Sequence, residues 1–143
     1  MRATAILETV LYAADLDAME RFYTGVFGLE RVQKVPGRLV FLRCGAQMLL
    51  IFDPEVSARP DPRIQIPRHG ATGAGHLCFA AADEAAIEAW RAHLAGHGVA
   101  IELDHRWPGG ARSIYCRDPA GTSVEVGMPA MWGLAPPPED ITS

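Results

Sequence analysis

The pattern of apolar and polar residues predicts the same order of elements in two successive blocks of the chain. In the first block, residues 5–12 are predicted to form a strand, and Asp15 then caps a helix that ends at Gly28. The apolar face of this helix consists of Leu16, Met19, Phe22 and Val26. Pro-Gly and Cys-Gly turns separate three further predicted strands, at residues 29–35, 39–43 and 47–52. The first block therefore predicts the order βαβββ.

The second block of the chain repeats this order. Residues 75–80 are predicted to form a strand, Asp83 is a second N-cap, and the helix that follows is closed by Gly96 and Gly98. Its apolar face consists of Ile87, Trp90 and Leu94. The last three strands are predicted at residues 99–103, 112–117 and 122–126.

A common offset of 68 positions makes the two blocks a tandem repeat. The pairs that it superposes are Glu8 and His76, Asp15 and Asp83, and Gly28 and Gly96. A βαβββ unit leaves one face of its sheet uncovered, so two units can form a cup-shaped eight-stranded mixed sheet with the helices outside. The sequence thus predicts an α+β fold in a single domain, 1–143. Its parts are repeats at about 5–52 and 74–127, a connection at 53–73 and a C-terminal tail at 128–143.

The connection is rich in Pro, Arg and Gly and has no apolar periodicity, which predicts a long loop. Loops of this length are uncommon unless they have a function. Within it, Arg68 and His69 either close over a ligand or belong to a mobile surface loop.

Composition and charge exclude several classes of function. The chain has 143 residues, of which 49% are apolar and 21% are charged, and its formal net charge is −4. This charge gives no attraction to phosphate backbones, so we expect no nucleic-acid partner. No run approaches about 18 uncharged apolar residues, so we expect neither a signal peptide nor a membrane span. We therefore expect a cytoplasmic location. Three widely spaced cysteines argue against a disulfide framework.

The candidate chemistry begins in the closing hairpin, residues 113–126. Its turn is Asp118-Pro119-Ala120-Gly121, in which Pro sets φ and Gly supplies a left-handed position. Glu125 lies between Val124 and Val126 and therefore faces the opposite side of the strand from both. Such a carboxylate either faces solvent or is directed inward, where it needs a cation.

The hairpin carries an aromatic-x-Arg-Asp-Pro-x-Gly-x-x-x-Glu run at 115–125, and residues 8–29 and 75–79 carry two further motifs. Together these segments resemble the vicinal oxygen chelate superfamily, which comprises glyoxalase, bleomycin-resistance and extradiol dioxygenase proteins. The resemblance covers about residues 5–127 and implies the same cup of paired βαβββ units. Related proteins are often dimers, so the resemblance also implies a homodimer.

The resemblance assigns metal-ligand positions to Glu8, His76 and Glu125. One imidazole nitrogen and two carboxylates suit a divalent first-row ion, so we expect Mn, Fe, Ni, Co or Zn as the cofactor. A fourth ligand position falls at Leu49 or Leu50, and neither leucine can bind a metal. The alternative for His76 is a hydrogen-bonded histidine in the core or at a sheet edge. The alternative for Glu8 and Glu125 is a solvated carboxylate.

Two classes of function compete. The first is a metal-dependent lyase or isomerase of the glyoxalase type, which binds a small oxygenated substrate bidentately and uses Glu8 or Glu125 as a catalytic base. Glyoxalase I-like enzymes usually have His or Gln at the first ligand position, and extradiol dioxygenases use two His and one Glu, so Glu8 departs from both patterns. A dioxygenase nevertheless stays an alternative. The second class is a metal-free, ligand-sequestering protein of the bleomycin-resistance type, which generally lacks the three ligands.

Substrate contacts are expected from the loop at residues 106–111, at the rim of the predicted cup. Arg112, His105 and Trp107 lie in or beside this loop. An arginine there can hold a carboxylate or phosphonate group of the substrate. The alternative is an ordinary surface loop with an aromatic contact.

Overall fold

The computed structural model describes residues 1–62 and 66–137. The chain divides into two compact units, Met1–Ala74 and Gly75–Ser143. Each unit contains one four-stranded sheet with parallel and antiparallel neighbours. Within the described ranges, no helix has both the length and the apolar composition that a membrane crossing requires.

The first unit has the predicted order of elements. These elements are β1 (Glu8–Tyr12), α1 (Leu16–Gly25), β2 (Glu30–Val35), β3 (Leu39–Cys44), β4 (Gln47–Phe52) and a short α2 (Pro54–Ala58). The strand order is β1-β4-β3-β2, in which β1 and β4 are parallel and the other neighbours are antiparallel.

The second unit repeats this topology. Its elements are β5 (His76–Ala80), α3 (Glu84–Gly96), β6 (Leu103–Arg106), β7 (Arg112–Arg117), β8 (Ser123–Gly127) and a 3-10 helix (Pro129–Trp132). The strand order is β5-β8-β7-β6, and the only parallel pair among these four strands is β5 and β8. The predicted α+β class and the two βαβββ units are therefore confirmed.

Both long helices begin at the predicted aspartates. The side chain of Asp15 accepts from the Ala18 amide at 2.9 Å, and that of Asp83 accepts from the Ala86 amide at 2.8 Å. Each bond satisfies one of the amides that a helix start leaves without a backbone partner. The predicted N-caps are thus confirmed, and they set the residue at which each helix begins after the first strand of its unit.

The predicted apolar face of α1 is wrong at one position. Tyr23 is fully buried together with Met19, whereas Phe22 is only half-buried. The Phe22 ring packs edge-on against the Tyr23 ring, with 5.2 Å between the ring centres. Both aromatics fit the helical spacing, so packing against the sheet decided which of the two is buried.

The predicted limits of one strand are also wrong. We expected a strand at residues 99–103, but β6 begins at Leu103. Gly98 has a φ of +69°, and the Val99 amide donates to the Leu94 carbonyl at 2.9 Å, so this segment still closes the helix. The apolar residues that follow Gly98 misled the sequence analysis.

The connection is not wholly a loop, because it contains α2. Asp53 caps this helix by accepting from the amides of Glu55 and Val56 at 2.9 and 3.0 Å. Pro54 occupies the first helical position, where its missing N–H costs nothing. The Asp-Pro pair was a helix-start signal that the sequence analysis passed over.

The second sheet has one face under α3. Ile114, Cys116, Val124 and Val126 are at most 1% exposed and lie on this face, since their side chains alternate with those of Tyr115 and Glu125. Arg112 shares the parity of Ile114, and its guanidinium reaches Glu84 of α3 at 3.1 Å. The opposite face therefore carries Tyr115 and Glu125.

Arg112 joins three elements through charge-assisted hydrogen bonds. Its guanidinium donates in a bidentate way to Asp104 of β6, at 2.7 and 2.6 Å, and also to Glu84 and Glu88 of α3. Its side chain is only 11% exposed. The bond from Arg112 holds the pKa of Asp104 below its usual value, and the bonds from Arg106 and then Arg112 lower the pKa of Glu84.

The closing hairpin is held by a buried aspartate. Asp118 is 5% exposed, and its Oδ1 accepts from the amides of Ala120 and Thr122 at 2.9 and 2.8 Å. The Gly121 amide donates to the Asp118 carbonyl at 3.0 Å, and Gly121 has a φ of +83°. This turn fixes where β8 begins and so sets the position of Glu125.

Replacing Asp118 by Ala should lower the free energy of unfolding by about 2 kcal/mol, because the buried Thr122 amide and the partly buried Ala120 amide lose their acceptor. Urea denaturation followed by circular dichroism measures this change. Asp118→Asn is the matched control, since its amide oxygen can still accept both bonds, and it should lose less than half as much. Equal losses in the two variants would contradict the assignment.

Arg112→Met should flatten the acid dependence of stability. Carboxylates whose folded pKa is lowered stabilise the fold above their unfolded pKa, and this contribution disappears as pH falls through the folded pKa. The parent should therefore lose unfolding free energy from about pH 5 downward, while Arg112→Met starts lower and loses less. Urea melts at a series of pH values give both curves, with Arg31→Met as a control for an exposed pair. Parallel curves for the parent and Arg112→Met would refute this role.

Candidate metal centre

Polar side chains cluster on the face of the second sheet that α3 does not cover. Strand register brings them together, because Glu125 pairs with Cys78 across β5 and β8 and with Tyr115 across β7 and β8. His76 lies two residues before Cys78 and so shares this face. The hairpin turn described above sets the register of β7 and β8, and the parallel pairing of β5 with β8 adds His76 and Cys78.

His76 and Glu125 form the closest pair in this cluster. His76 Nε2 lies 3.2 Å from Glu125 Oε2, and His76 Nδ1 lies 3.0 Å from the Ser123 carbonyl oxygen. Because a carbonyl can only accept, Nδ1 carries a proton, and the neutral ring then has its lone pair on Nε2. Two lone pairs would face each other unless a cation, a proton or a metal ion, lies between them.

The geometry of this pair fits a metal ion. Two ligand atoms that are each about 2.1 Å from one ion lie about 3.0–3.4 Å apart when they subtend a right or tetrahedral angle. The observed 3.2 Å falls in this range. A backbone carbonyl that holds the other ring nitrogen is also the usual support of a metal-binding histidine.

Glu125 is a buried carboxylate with little compensation from the protein. The residue is 4% exposed, and its Oε1 is buried without a hydrogen-bond partner among the described residues. A buried ionised carboxylate is costly unless it is paired. Of the two directions that the sequence left open, Glu125 therefore takes the inward one, and an ionised carboxylate buried in this way needs a cation beside it.

The Glu125 carboxylate is closely enclosed by Ser113, Gly127 and Met131, which together form a carboxylate cradle. A Cβ atom at Gly127 would lie 2.9 Å from Glu125 Oε1, 2.9 Å from Ser113 Oγ and 2.9 Å from the terminal methyl of Met131. Ser113 is fully buried. The absence of a side chain at position 127 therefore makes the room that the carboxylate occupies.

The Glu125 charge influences the groups around it. Burial first, and then the Glu125 carboxylate, raise the pKa of the Cys78 thiol to about 12. The same two causes raise the pKa of the Tyr115 hydroxyl to about 12. Both groups are therefore neutral near pH 7, so they can offer the carboxylate a hydrogen bond but no positive charge.

The three predicted substrate-binding residues divide between the two faces. His105 pairs with Ser113 and so lies on the face of Glu125, and its ring packs edge-on against Trp107 at 4.6 Å. Trp107 Nε1 donates to Ser113 Oγ at 2.9 Å. Arg112 points to the α3 face, where carboxylates surround it, and this position favours the structural role described above.

The first unit contributes a different set of side chains. Glu8 is exposed at the start of β1, and Leu50, two residues beyond its strand partner Met48, is the counterpart of Glu125 in the repeated register. The register thus places the fourth position at Leu50 rather than Leu49. Leu50 packs in an apolar cluster with Leu39 and Phe52. Within either unit, the described residues contain no group of three His, Cys, Asp or Glu side chains that could hold a metal, so the role of Glu8 stays a prediction.

Ser113, Tyr115 and Gly127 are candidate site residues that the sequence analysis missed. The alternation in residues 112–117 placed Ser113 and Tyr115 on the same face as Glu125 once the hairpin register was known. The sequence alone gives no local signal for these residues, because the strand register that brings them beside Glu125 depends on the turn.

Solved structures of other proteins resemble this chain at several levels of identity. A lactoylglutathione lyase from Agrobacterium tumefaciens is 54% identical, with a TM-score of 0.92, and the match covers 94% of this chain and 100% of that one. A virulence protein from Salmonella typhimurium is 26% identical, with a TM-score of 0.66 and coverage of 90% and 98%. A glyoxalase/bleomycin resistance protein/dioxygenase from Nocardioides is 20% identical, with a TM-score of 0.71 and coverage of 90% and 85%, a likeness of fold.

The search of curated proteins returned no match. The sequence profile of one family, however, matches residues 5–126, which is most of the chain. This match agrees with the tandem βαβββ units and with the closing hairpin. The chain belongs to the Glyoxalase/Bleomycin resistance protein/Dioxygenase superfamily.

Proposed function

We propose that this protein is a metal-dependent lyase or isomerase of the glyoxalase type that acts on a small oxygenated substrate. The observation that carries the proposal is the His76–Glu125 pair, in which a buried carboxylate faces an imidazole nitrogen at 3.2 Å. The 54% identity to a lactoylglutathione lyase supports lyase chemistry.

His76 would hold a divalent ion through Nε2, and Glu125 would hold it through Oε2. One nitrogen and carboxylate oxygens suit Mn, Fe, Ni, Co or Zn. When bound, such an ion supplies Lewis acidity that stabilises negative charge developing on a substrate oxygen.

The surroundings of Glu125 bear on the roles of the two carboxylates, Glu125 and Glu8, as metal ligand or base. Oε1 of Glu125 is enclosed beside Ser113 and Gly127, and Oε2 faces His76, so this carboxylate is better suited to hold an ion than to move a proton. Family resemblance gives Glu8 a ligand position. We assign Glu8 as the third ligand, with the role of general base as its alternative.

His105 and Trp107 are the proposed substrate contacts. They lie on the Glu125 face, and the bond from Trp107 to Ser113 fixes the indole beside the carboxylate cradle. A fixed aromatic next to an ion site can shield the reacting atoms from water.

The untagged protein should carry about one divalent ion per chain, which inductively coupled plasma mass spectrometry measures. His76→Ala and Glu125→Ala should both lose the ion, because each removes a ligand atom. His105→Ala is the matched control and should retain the ion, since this histidine shares the face but is not a proposed ligand. A metal-free parent whose melting temperature ignores added Mn, Fe, Ni, Co and Zn would contradict the proposal.

Glu8→Gln should weaken metal binding by about tenfold or more, because an amide oxygen carries no charge to offer the ion. Metal titration of the apoprotein measures this affinity. Conversion of S-lactoylglutathione, followed by its thioester absorbance, should fall in the same variant. Unchanged affinity with lost turnover would instead assign Glu8 as the base.

A ligand-sequestering protein is the second candidate, and Leu50 is the observation that favours it. A leucine in an apolar cluster stands where the repeat places the counterpart of Glu125. A protein that binds ligands without metal and without turnover would support this candidate over the enzyme.

A further inference from the structure

We propose that His93 and His97, at the carboxyl end of α3, form a metal site that takes a late first-row divalent ion such as Ni²⁺, Cu²⁺ or Zn²⁺. The two histidines are four residues apart, and both are exposed. Because α3 and Glu125 lie on opposite faces of the second sheet, this pair is separate from the candidate metal centre. The proposal therefore goes beyond the proposed function and does not depend on it.

Helical spacing brings the two imidazole rings together. Residues four apart in a helix lie one above the other on the same face. The His97 amide still donates to the His93 carbonyl at 3.1 Å, which is the bond of a helical turn, so this spacing holds at the helix end. The ring centres are 4.2 Å apart. Two histidines with this spacing on one helix face bind zinc in metalloproteases.

The separation of the two rings suits a single ion between them. An ion about 2.1 Å from each nitrogen lies roughly 3.2 Å from each ring centre, so two rings bound at a right angle have centres about 4.5 Å apart. The observed 4.2 Å is only slightly less. Exposed side chains change rotamer within nanoseconds, so both rings can turn toward one ion while the helix stays in place.

A backbone carbonyl determines which nitrogen His97 offers to an ion. His97 Nδ1 lies 2.9 Å from the His93 carbonyl oxygen. Because a carbonyl only accepts, Nδ1 carries the proton, and the lone pair that binds an ion is on Nε2. Metal-binding histidines are commonly oriented by a carbonyl at the other ring nitrogen. The His93 ring packs edge-on against Trp90, with 5.4 Å between the ring centres, and this contact limits its orientation.

The end of a helix favours a cation. The last carbonyls of α3 form the negative end of its dipole, and the pair lies in this last turn. One turn earlier on the same face are Ala89 and Trp90, neither of which carries a charge that would repel an ion. The Val99 amide donates to the Leu94 carbonyl at 2.9 Å, so the helix end is closed and the pair stands on an ordered backbone.

The donor atoms define the class of ion. Imidazole nitrogen suits Ni²⁺, Cu²⁺ and Zn²⁺, whereas Mg²⁺ and Ca²⁺ prefer oxygen ligands. Two protein ligands leave the remaining coordination positions to water, so the pair holds its ion more weakly than a site with three or four ligands. We therefore expect gel filtration to remove this ion, which then does not add to the ion expected at the candidate metal centre.

Isothermal titration calorimetry of the untagged full chain with NiCl₂ tests this proposal. His93→Gln and His97→Gln should each bind about one Ni²⁺ fewer per chain than the parent, because a single imidazole should hold the ion at least about tenfold more weakly than a pair. MgCl₂ should give no heat that depends on either histidine. His76→Ala should retain the ion that His97→Gln loses, whether or not the candidate metal centre binds metal.

A spacing control separates chelation from the number of histidines. Ala95→His combined with His97→Gln keeps two histidines on α3 but places them two residues apart, where they do not face each other. This variant should bind Ni²⁺ as weakly as His97→Gln alone. All the changed helix positions are exposed, so these variants should melt at the same temperature as the parent. Equal Ni²⁺ binding by the parent and His97→Gln, or full binding by the spacing control, would overturn the proposal.

Discussion

The buried carboxylate of Glu125 is the constraint on which the rest of the candidate metal centre depends. A carboxylate that is 4% exposed and has one oxygen without a hydrogen-bond partner among the described residues is costly by itself. The His76 imidazole lies beside it, and burial first and then this carboxylate raise the pKa values of Cys78 and Tyr115, so both groups stay neutral near pH 7. The site is organised around a charge that the described protein groups compensate only in part.

Backbone interactions of the closing hairpin hold the Glu125 carboxylate in a fixed position. Asp118 and Gly121 close a turn that sets the register of β8, and the register then decides which residues share a face with Glu125. The opposite face is occupied by α3 and by the ion pairs of Arg112. The candidate metal centre and the packing face of the second unit therefore lie on opposite faces of a single sheet.

The sequence was most informative where local chemistry decides the structure. Asp15 and Asp83 cap helices because a short acidic side chain reaches a free amide, and the Asp-Pro-x-Gly turn has Pro where φ is fixed and Gly where φ is positive. The repeat offset identified His76 and the closing strand identified Glu125, and the structure brings these two together.

The remaining features depend on packing and on register, which have no local signal. Phe22 and Tyr23 both stand at positions that fit the apolar face of α1. Only contact with the sheet decides that Tyr23 is the buried one. The sequence left Arg112 as a substrate contact or part of an ordinary surface loop, and only the strand parity turns it toward α3. The contact of His69 with the Tyr12 hydroxyl depends on how the connection folds back on the first sheet, which no periodicity describes.

The crowding at Gly127 has a consequence for protein engineering. Any side chain there meets Glu125 Oε1, the Ser113 hydroxyl and the Met131 methyl at once, so a substitution must displace these side-chain ends and with them the carboxylate. Cys78 shares the face with Glu125, and although its thiol is partly enclosed beside the carboxylate, the residue as a whole is exposed, so a larger side chain can extend outward. Attempts to retarget the chemistry should therefore randomise position 78 and leave position 127 as glycine.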